Sequence, residues 1–434
     1  MWQNTLVATN VMFGWLFIIA SFYYLLPVLS STKQTFFGRK VLETRPYLLV
    51  ILVALLVRLI PTIVLPVGAG YDIESFRLVG AALLNGEDVY TSAAVGRHPY
   101  LPMQMYWIGL AFYLHLKTAV PFVVLIKLLP VLVDVGITAV IFQTCRRWQK
   151  SNLEAAVWAL CFALNPIAIL VSAYHGQFDS VPVLLLLVAW YLAEFGQRST
   201  KSAAALGFAI LNKTWPIVML PIILIRKLNW KNWVIYSGFA LGIPILFTAA
   251  YVWLLETDPE PMLQRALTHT GPNGYWGISA ILALLKKQIA AFEPIYDTLV
   301  AWRRWLILAA GLFTLWWTRK ETIPAALTTI ILAVFTVSSG MGIQWLLWVV
   351  PFAILDADHR WLRWYSLTGM IFLLVQLYGL HMYPWFYELF SQETADSLIR
   401  AGSIPAWLTV ACWTIKRVVK NKSASRPVPL NLQN

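Results

Sequence analysis

An all-α, polytopic membrane protein is the fold class this sequence predicts, and three observations predict it. Of its 434 residues 59% are hydrophobic and only 12% charged, where a soluble domain carries about 25% charged residues. Apolar runs of about 20 residues, the length that crosses a hydrocarbon core, recur along the whole chain. The 22 Trp, 18 Tyr and 22 Phe suit a protein whose amphipathic rings settle at a bilayer interface. A soluble enzyme is excluded, and Cys145, Cys161 and Cys412 show neither a disulfide framework nor a metal-ligand spacing.

The elements follow in order. Run 5–30 lacks a basic leader and is followed by Lys33, Arg39, Lys40 and Arg45, so it reads as a retained signal anchor with a cytoplasmic basic flank. Span 46–66 then leads outward. Further runs cover 121–144, 153–173, 179–196, 233–255, 298–318, 322–339, 362–382 and 403–419. Segment 342–356 is short for a span, and 203–226 is interrupted by Asn212-Lys213-Thr214-Trp215-Pro216, which predicts a broken, V-shaped pair. About 11–13 transmembrane helices result. Residues 1–422 read as one integral membrane domain and 423–434 as a cytoplasmic tail.

The first outer loop holds two more helices. Ile73, Phe76, Val79, Leu83 and Leu84 recur at helical spacing opposite Glu74, Arg77 and Asn85, which predicts an interfacial helix over 73–85. Segment 102–116 would rise only about 22 Å where about 30 Å is needed, so it too is expected to lie on the surface. Charge supports that choice. With 102–116 on the surface, the clusters from Arg146 and Arg147 through Arg226 and Lys227 to Lys416 and Arg417 all face the cytoplasm, as the positive-inside rule requires. The net charge of +13 therefore orients the chain and implies no nucleic-acid partner.

That topology gathers five polar segments on the outer side: Gly70 to Glu74, Tyr174 to Asp179, the long loop 256–297, Ser338 to Trp345, and 383–402. Polar groups at membrane depth are costly unless they are paired or line a cavity. Their wording is Tyr71-Asp72-Ile73-Glu74-Ser75-Phe76, Asn85-Gly86-Glu87-Asp88-Val89-Tyr90, His98-Pro99-Tyr100-Leu101-Pro102, Asn165-Pro166, His175-Gly176-Gln177-Phe178-Asp179-Ser180, Leu211-Asn212-Lys213-Thr214-Trp215-Pro216 and Gln344-Trp345-Leu346-Leu347-Trp348-Val349-Val350-Pro351. Over residues 68–356 this series resembles the GT-C superfamily of integral-membrane glycosyltransferases that use polyprenyl-phosphate sugars. It is especially similar to the catalytic subunit of GPI mannosyltransferase I and to bacterial polyprenyl-phosphomannose-dependent mannosyltransferases. The chain departs from them in a span before the first outer loop and in an Asp-x-Glu pair where relatives often have Asp-x-Asp.

The resemblance implies an inverting transfer of a sugar, mannose first, from a polyprenyl-phosphate donor to a lipid or glycan acceptor outside a bacterial plasma membrane. Such a transfer needs a base for the acceptor hydroxyl and groups that stabilise the departing phosphate. Asp72 is the expected base, since the family's base is the acidic residue of the first outer loop; its structural alternative is an N-cap of the helix that follows. Donor phosphate candidates are His175, Lys213, Arg265, His269 and Arg58, with pairing to Asp134 as the alternative for Lys213. Glu74, Gln177, Asp179, Gln344 and Trp345 are candidates for contact with sugar or acceptor, and Trp276 and Trp348 for stacking. Lys127 and Asp134 read as structural. No cofactor is expected and no metal ion is assigned, although Asp72 and Glu74 offer a carboxylate pair. The competing functions are a polymerase or ligase of polyprenyl-diphosphate-linked glycans, and a transporter or flippase with its site at the midplane.

Overall fold

The computed structural model describes residues 2–31, 45–196, 199–377 and 390–420. The predicted tail 423–434, residues 378–389 and the basic residues Lys33, Arg39 and Lys40 lie outside the described residues. Among the described residues the regular structure is all helical, with no strand and only an isolated antiparallel bridge between Asn273 and Gly340. Five helices among the described residues are long and apolar enough to cross a membrane: Pro46–Val64, Phe122–Arg147, Trp230–Leu255, Ala290–Trp317 and Gln392–Val419. A sixth arises if Asn152–Ala163 and Pro166–His175, bent by 47°, count as one. Asn10–Leu26, Ser180–Phe195, Ile323–Val337 and Ile343–Leu355 are apolar but shorter. The architecture is that of an all-α membrane protein.

Local chemistry sets several boundaries. Asn152–Ala163 begins in a capping box, with Ser151 and Glu154 satisfying each other's backbone N–H groups. The bend after it forms at Asn165-Pro166, where the Asn165 side chain accepts from the N–H groups of Ile167 and Ala168 and Pro166 opens the next helix. Arg58, fully buried in Pro46–Val64, fastens that bend. Its guanidinium donates to the carbonyls of Ala163 and Phe162 at 2.7 and 3.3 Å and to Asp134 at 2.6 Å, a cation where a helix C-terminus leaves carbonyls unpaired. Lys127 is equally buried and donates to the Val67 carbonyl at 2.6 Å, holding the turn that follows Pro46–Val64.

The segment after Pro46–Val64 forms the two expected helices, which we call α1 (Gly70–Leu84) and α2 (Gln104–Lys117). They pack with Gly80 against Phe112 so closely that a Cβ at Gly80 would stand 2.6 Å from the Phe112 Cβ. Phe76, Val79, Met105, Ile108, Phe122, Ile126, Phe178 and Tyr251 form one apolar cluster beneath them. Asp88 ties the following loop down by accepting from Tyr251 at 2.6 Å and Thr257 at 2.7 Å. Burial alone would raise its pKa, but these hydrogen bonds and those from Tyr90 and Thr91 outweigh it and hold the carboxyl below its usual range.

The expected loop 256–297 is largely helical instead, with Pro259–Thr268, Gly277–Leu285 and the start of Glu293–Trp317 inside it. The cause is readable: Asp258 accepts from the Glu260 N–H as an N-cap and Pro259 opens the helix.

Candidate active site

Asp72 lies in the first turn of α1, and not at its N-cap, because the helix starts at Gly70, three residues before the expected start at Ile73. The Ala69 N–H is taken by the His175 carbonyl at 3.1 Å, and a Cβ at Gly68 would lie 2.8 Å from that same oxygen. This close approach seats the start of α1 on the end of helix Pro166–His175. The last six residues of that helix are wound as a π-helix, a distortion frequent at functional sites. Gly176 then turns the chain with a φ of 88°, a conformation that glycine adopts without strain.

The turn aims three side chains. His175 Nε2 lies 2.6 Å from Asp72 Oδ2, and Gln177 Nε2 donates to the same oxygen at 2.8 Å. Asp179, fully buried, accepts from Lys213 Nζ at 2.8 Å on one oxygen and from Trp348 Nε1 at 2.7 Å on the other. The Lys213 ammonium also sits over the rings of Tyr100 and Phe178 at 4.7 and 4.9 Å, a cation held by aromatic faces. Lys213 thus pairs with Asp179, and Asp134 is taken by Arg58.

Aromatic rings complete the wall. Trp215, Trp348 and Trp345 stack in series, with centroids 4.4 and 5.1 Å apart. Trp345 meets His269 edge-on at 6.3 Å, and His269 meets Tyr100 at 6.2 Å. The segment carrying His269 is fixed to the segment carrying Trp345 through the bridge at Gly340, where a Cβ would stand 2.6 Å from the Thr270 carbonyl. Gln344 is nearly buried, and Gly342 leaves room for its amide and for the Trp345 indole, each 2.9 Å from where a Cβ would be.

A polar cleft of about 290 Å³ opens beside these groups, lined by Gly96, Pro99, Arg265, Thr268, His269 and Thr270 among others. Arg265 lays its guanidinium against Gly96. Partial burial of the ring, then the Lys213 charge, lower the pKa of His269, against the opposing pull of Asp179 and Asp72. At neutral pH His269 is therefore a hydrogen-bonding group, and Arg265 and Lys213 carry the positive charge. Burial, then the charges of Asp179 and Asp72, keep the Tyr100 phenol protonated. Asp72, Asp179, Lys213, His269 and Tyr100 thus share one electrostatic neighbourhood.

The structure brings together Asp72, His175, Gln177, Asp179, Lys213, His269 and Trp345, with Arg265 at the cleft and Gln344 beside Trp345. It does not bring Arg58, which is spent on Asp134 and two carbonyls. Glu74 also points elsewhere: exposed, it accepts both nitrogens of the Arg77 fork at 2.8 and 2.7 Å. Trp276 is a core residue that donates to the Phe335 carbonyl at 2.8 Å. His175 meets Asp72 through Nε2. Tyr100 and Trp215 were not singled out by sequence, and both stand inside quoted motifs, in His98-Pro99-Tyr100 and Lys213-Thr214-Trp215. The segment 383–402 lies partly outside the described residues; from its described part, Arg400 donates to the Gly274 carbonyl and Tyr275 donates to Asp396 at 3.2 Å.

Among the described residues no three His, Cys, Asp or Glu side chains are grouped to hold a metal ion. No protein-family model and no curated protein matches the chain.

Proposed function

We propose that the chain is an inverting glycosyltransferase that moves a sugar, mannose first, from a polyprenyl phosphate to the hydroxyl of a lipid or glycan acceptor. The observation that carries this reading is the convergence on Asp72: a carboxylate 28% exposed, steadied by two donors, and facing a neighbourhood that contains Lys213 and His269. In the proposed reaction Asp72 takes the acceptor proton as that oxygen attacks the anomeric carbon. The C–O bond to phosphate breaks, and the phosphate keeps the electron pair. Arg265, His269 and Lys213 are the groups available to stabilise it, and Trp345 is the aromatic group available to the sugar.

Topology extends the reading. The ten long, bent and shorter apolar spans are proposed to cross together with the broken pair Ser199–Asn212 and Met219–Lys227 and with His359–Gln376, which gives twelve crossings, within the 11–13 of the sequence argument, and sets the cluster on the outer face of a bacterial plasma membrane. The basic clusters on the other side support that orientation.

Proteoliposomes of the purified chain, given radiolabelled polyprenyl-phosphate mannose and membrane lipid extract, should yield labelled lipid or glycan. Movement of label across the bilayer without transfer would favour the flippase reading instead.

A further inference from the structure

We infer that His175 is a positioning residue that orients the Asp72 carboxylate, and is not a ligand of the donor phosphate. The inference rests on the reading of Asp72 as the base. Three contacts make His175 and the first turn of α1 one unit. The imidazole Nε2 meets Asp72 Oδ2 at 2.6 Å, the His175 carbonyl takes the Ala69 N–H at 3.1 Å, and Gly68 lies against that carbonyl with no room for a Cβ. His175 is 2% exposed, so its ring has little access to a ligand except through Asp72.

The hydrogen bond also places a ring proton. A carboxylate oxygen only accepts, so Nε2 is a protonated nitrogen facing Asp72, and Nδ1 is buried with no hydrogen-bond partner among the described residues. A second donor, Gln177 Nε2, lands on the same Oδ2 at 2.8 Å. Two N–H groups on one oxygen fix the plane of the carboxylate and favour its charged form. The π-helical turn supplies this aim: residues Leu170–His175 are wound wider than an α-helix, and the left-handed Gly176 that follows lets His175 and Gln177 both reach Asp72. Lys213, Tyr100 and His269 also feel the Asp72 charge, and a substitution at His175 removes none of them.

Two measurements test this in the purified full chain. In ¹⁵N-histidine NMR, assigned by loss of the signal in His175→Gln, Asp72→Asn should move the His175 Nε2 resonance. An unmoved His175 signal overturns the pairing whatever the activity. In the transfer assay, His175→Ala should lower kcat on the order of a hundredfold and move the acid limb of the kcat/KM profile to higher pH, with the donor KM within about twofold. His175→Gln, which keeps an N–H donor, should restore part of the rate. An unmoved acid limb, or a donor KM that rises while kcat holds, overturns the positioning role. A wild-type chain that transfers no sugar, with the NMR coupling present, overturns the transferase reading, and the positioning role in transfer falls with it.

Discussion

Lys213 Nζ lies 2.8 Å from Asp179 Oδ2, and the two side chains are 4% and 0% exposed. Removing one member of such a pair leaves an uncompensated buried charge, which costs roughly 3–5 kcal/mol. Lys213→Met should therefore lower the thermal midpoint strongly, and Lys213→Met with Asp179→Leu should recover much of it without recovering sugar transfer. Thermal unfolding and the transfer assay on the same preparations check both halves.

The Arg58–Asp134 pair gives the contrasting case. It fastens the bend at Asn165-Pro166 and takes no part in the cluster around Asp72, so Arg58→Met should destabilise by roughly 3–5 kcal/mol while the surviving folded enzyme keeps its donor KM. A raised donor KM in detergent-purified, folded Arg58→Met protein would return Arg58 to the phosphate site.

Gly68 should be intolerant of a side chain. The obstacle is the His175 backbone oxygen, which cannot swing away as a side chain would. Gly68→Ala is expected to push the start of α1 off His175 and lower kcat on the order of a hundredfold, measured beside Gly86→Ala, whose added Cβ meets nothing within 4 Å but which keeps a positive φ.

Much of this site is legible in the sequence, and the exceptions have physical causes. Asp72, His175, Gln177, Asp179 and Lys213 stand out because charge and amide groups beside apolar runs demand partners. Which partner each finds is a matter of packing: Arg58 and Lys213 look alike in sequence, yet the helix end at Ala163 captures one and Asp179 the other. Asp72 reads as an N-cap until the His175 carbonyl, over a hundred residues away, supplies the bond that lets the helix begin at Gly70. Tyr100 and Trp215 are lost among the many aromatic residues, since a ring in an apolar chain carries no signal of what it stacks upon. The helices inside 256–297 were readable in Asp258-Pro259 and hidden by the length of the polar stretch.

His98, 2% exposed between Tyr90 and Tyr100, predicts a pH dependence. Burial is the main cause that lowers its pKa from 6.5 to about 4. The unfolded chain binds a proton there that the folded chain refuses, so the stability contribution is full above pH 6.5 and falls away towards pH 4. At about 1.4 kcal/mol per unit the loss approaches 3 kcal/mol. The thermal midpoint should drop over that window, and less so in His98→Gln.

Orientation is tested by labelling. A cysteine at position 97, in place of the arginine that stacks on Tyr71 at 4.4 Å, should react with an impermeant thiol reagent applied to intact cells. One at position 150, in place of a lysine in the basic cytoplasmic set, should react only after the membrane is opened. The reverse pattern would move the site to the other face.

The most direct test of the central claim is the rate of sugar transfer from polyprenyl-phosphate mannose by reconstituted wild-type and Asp72→Asn protein at matched folding. The account predicts transfer by the wild type and a loss of about a hundredfold to ten-thousandfold in the variant, the usual worth of a general base. Transfer by Asp72→Asn at the wild-type rate would contradict it.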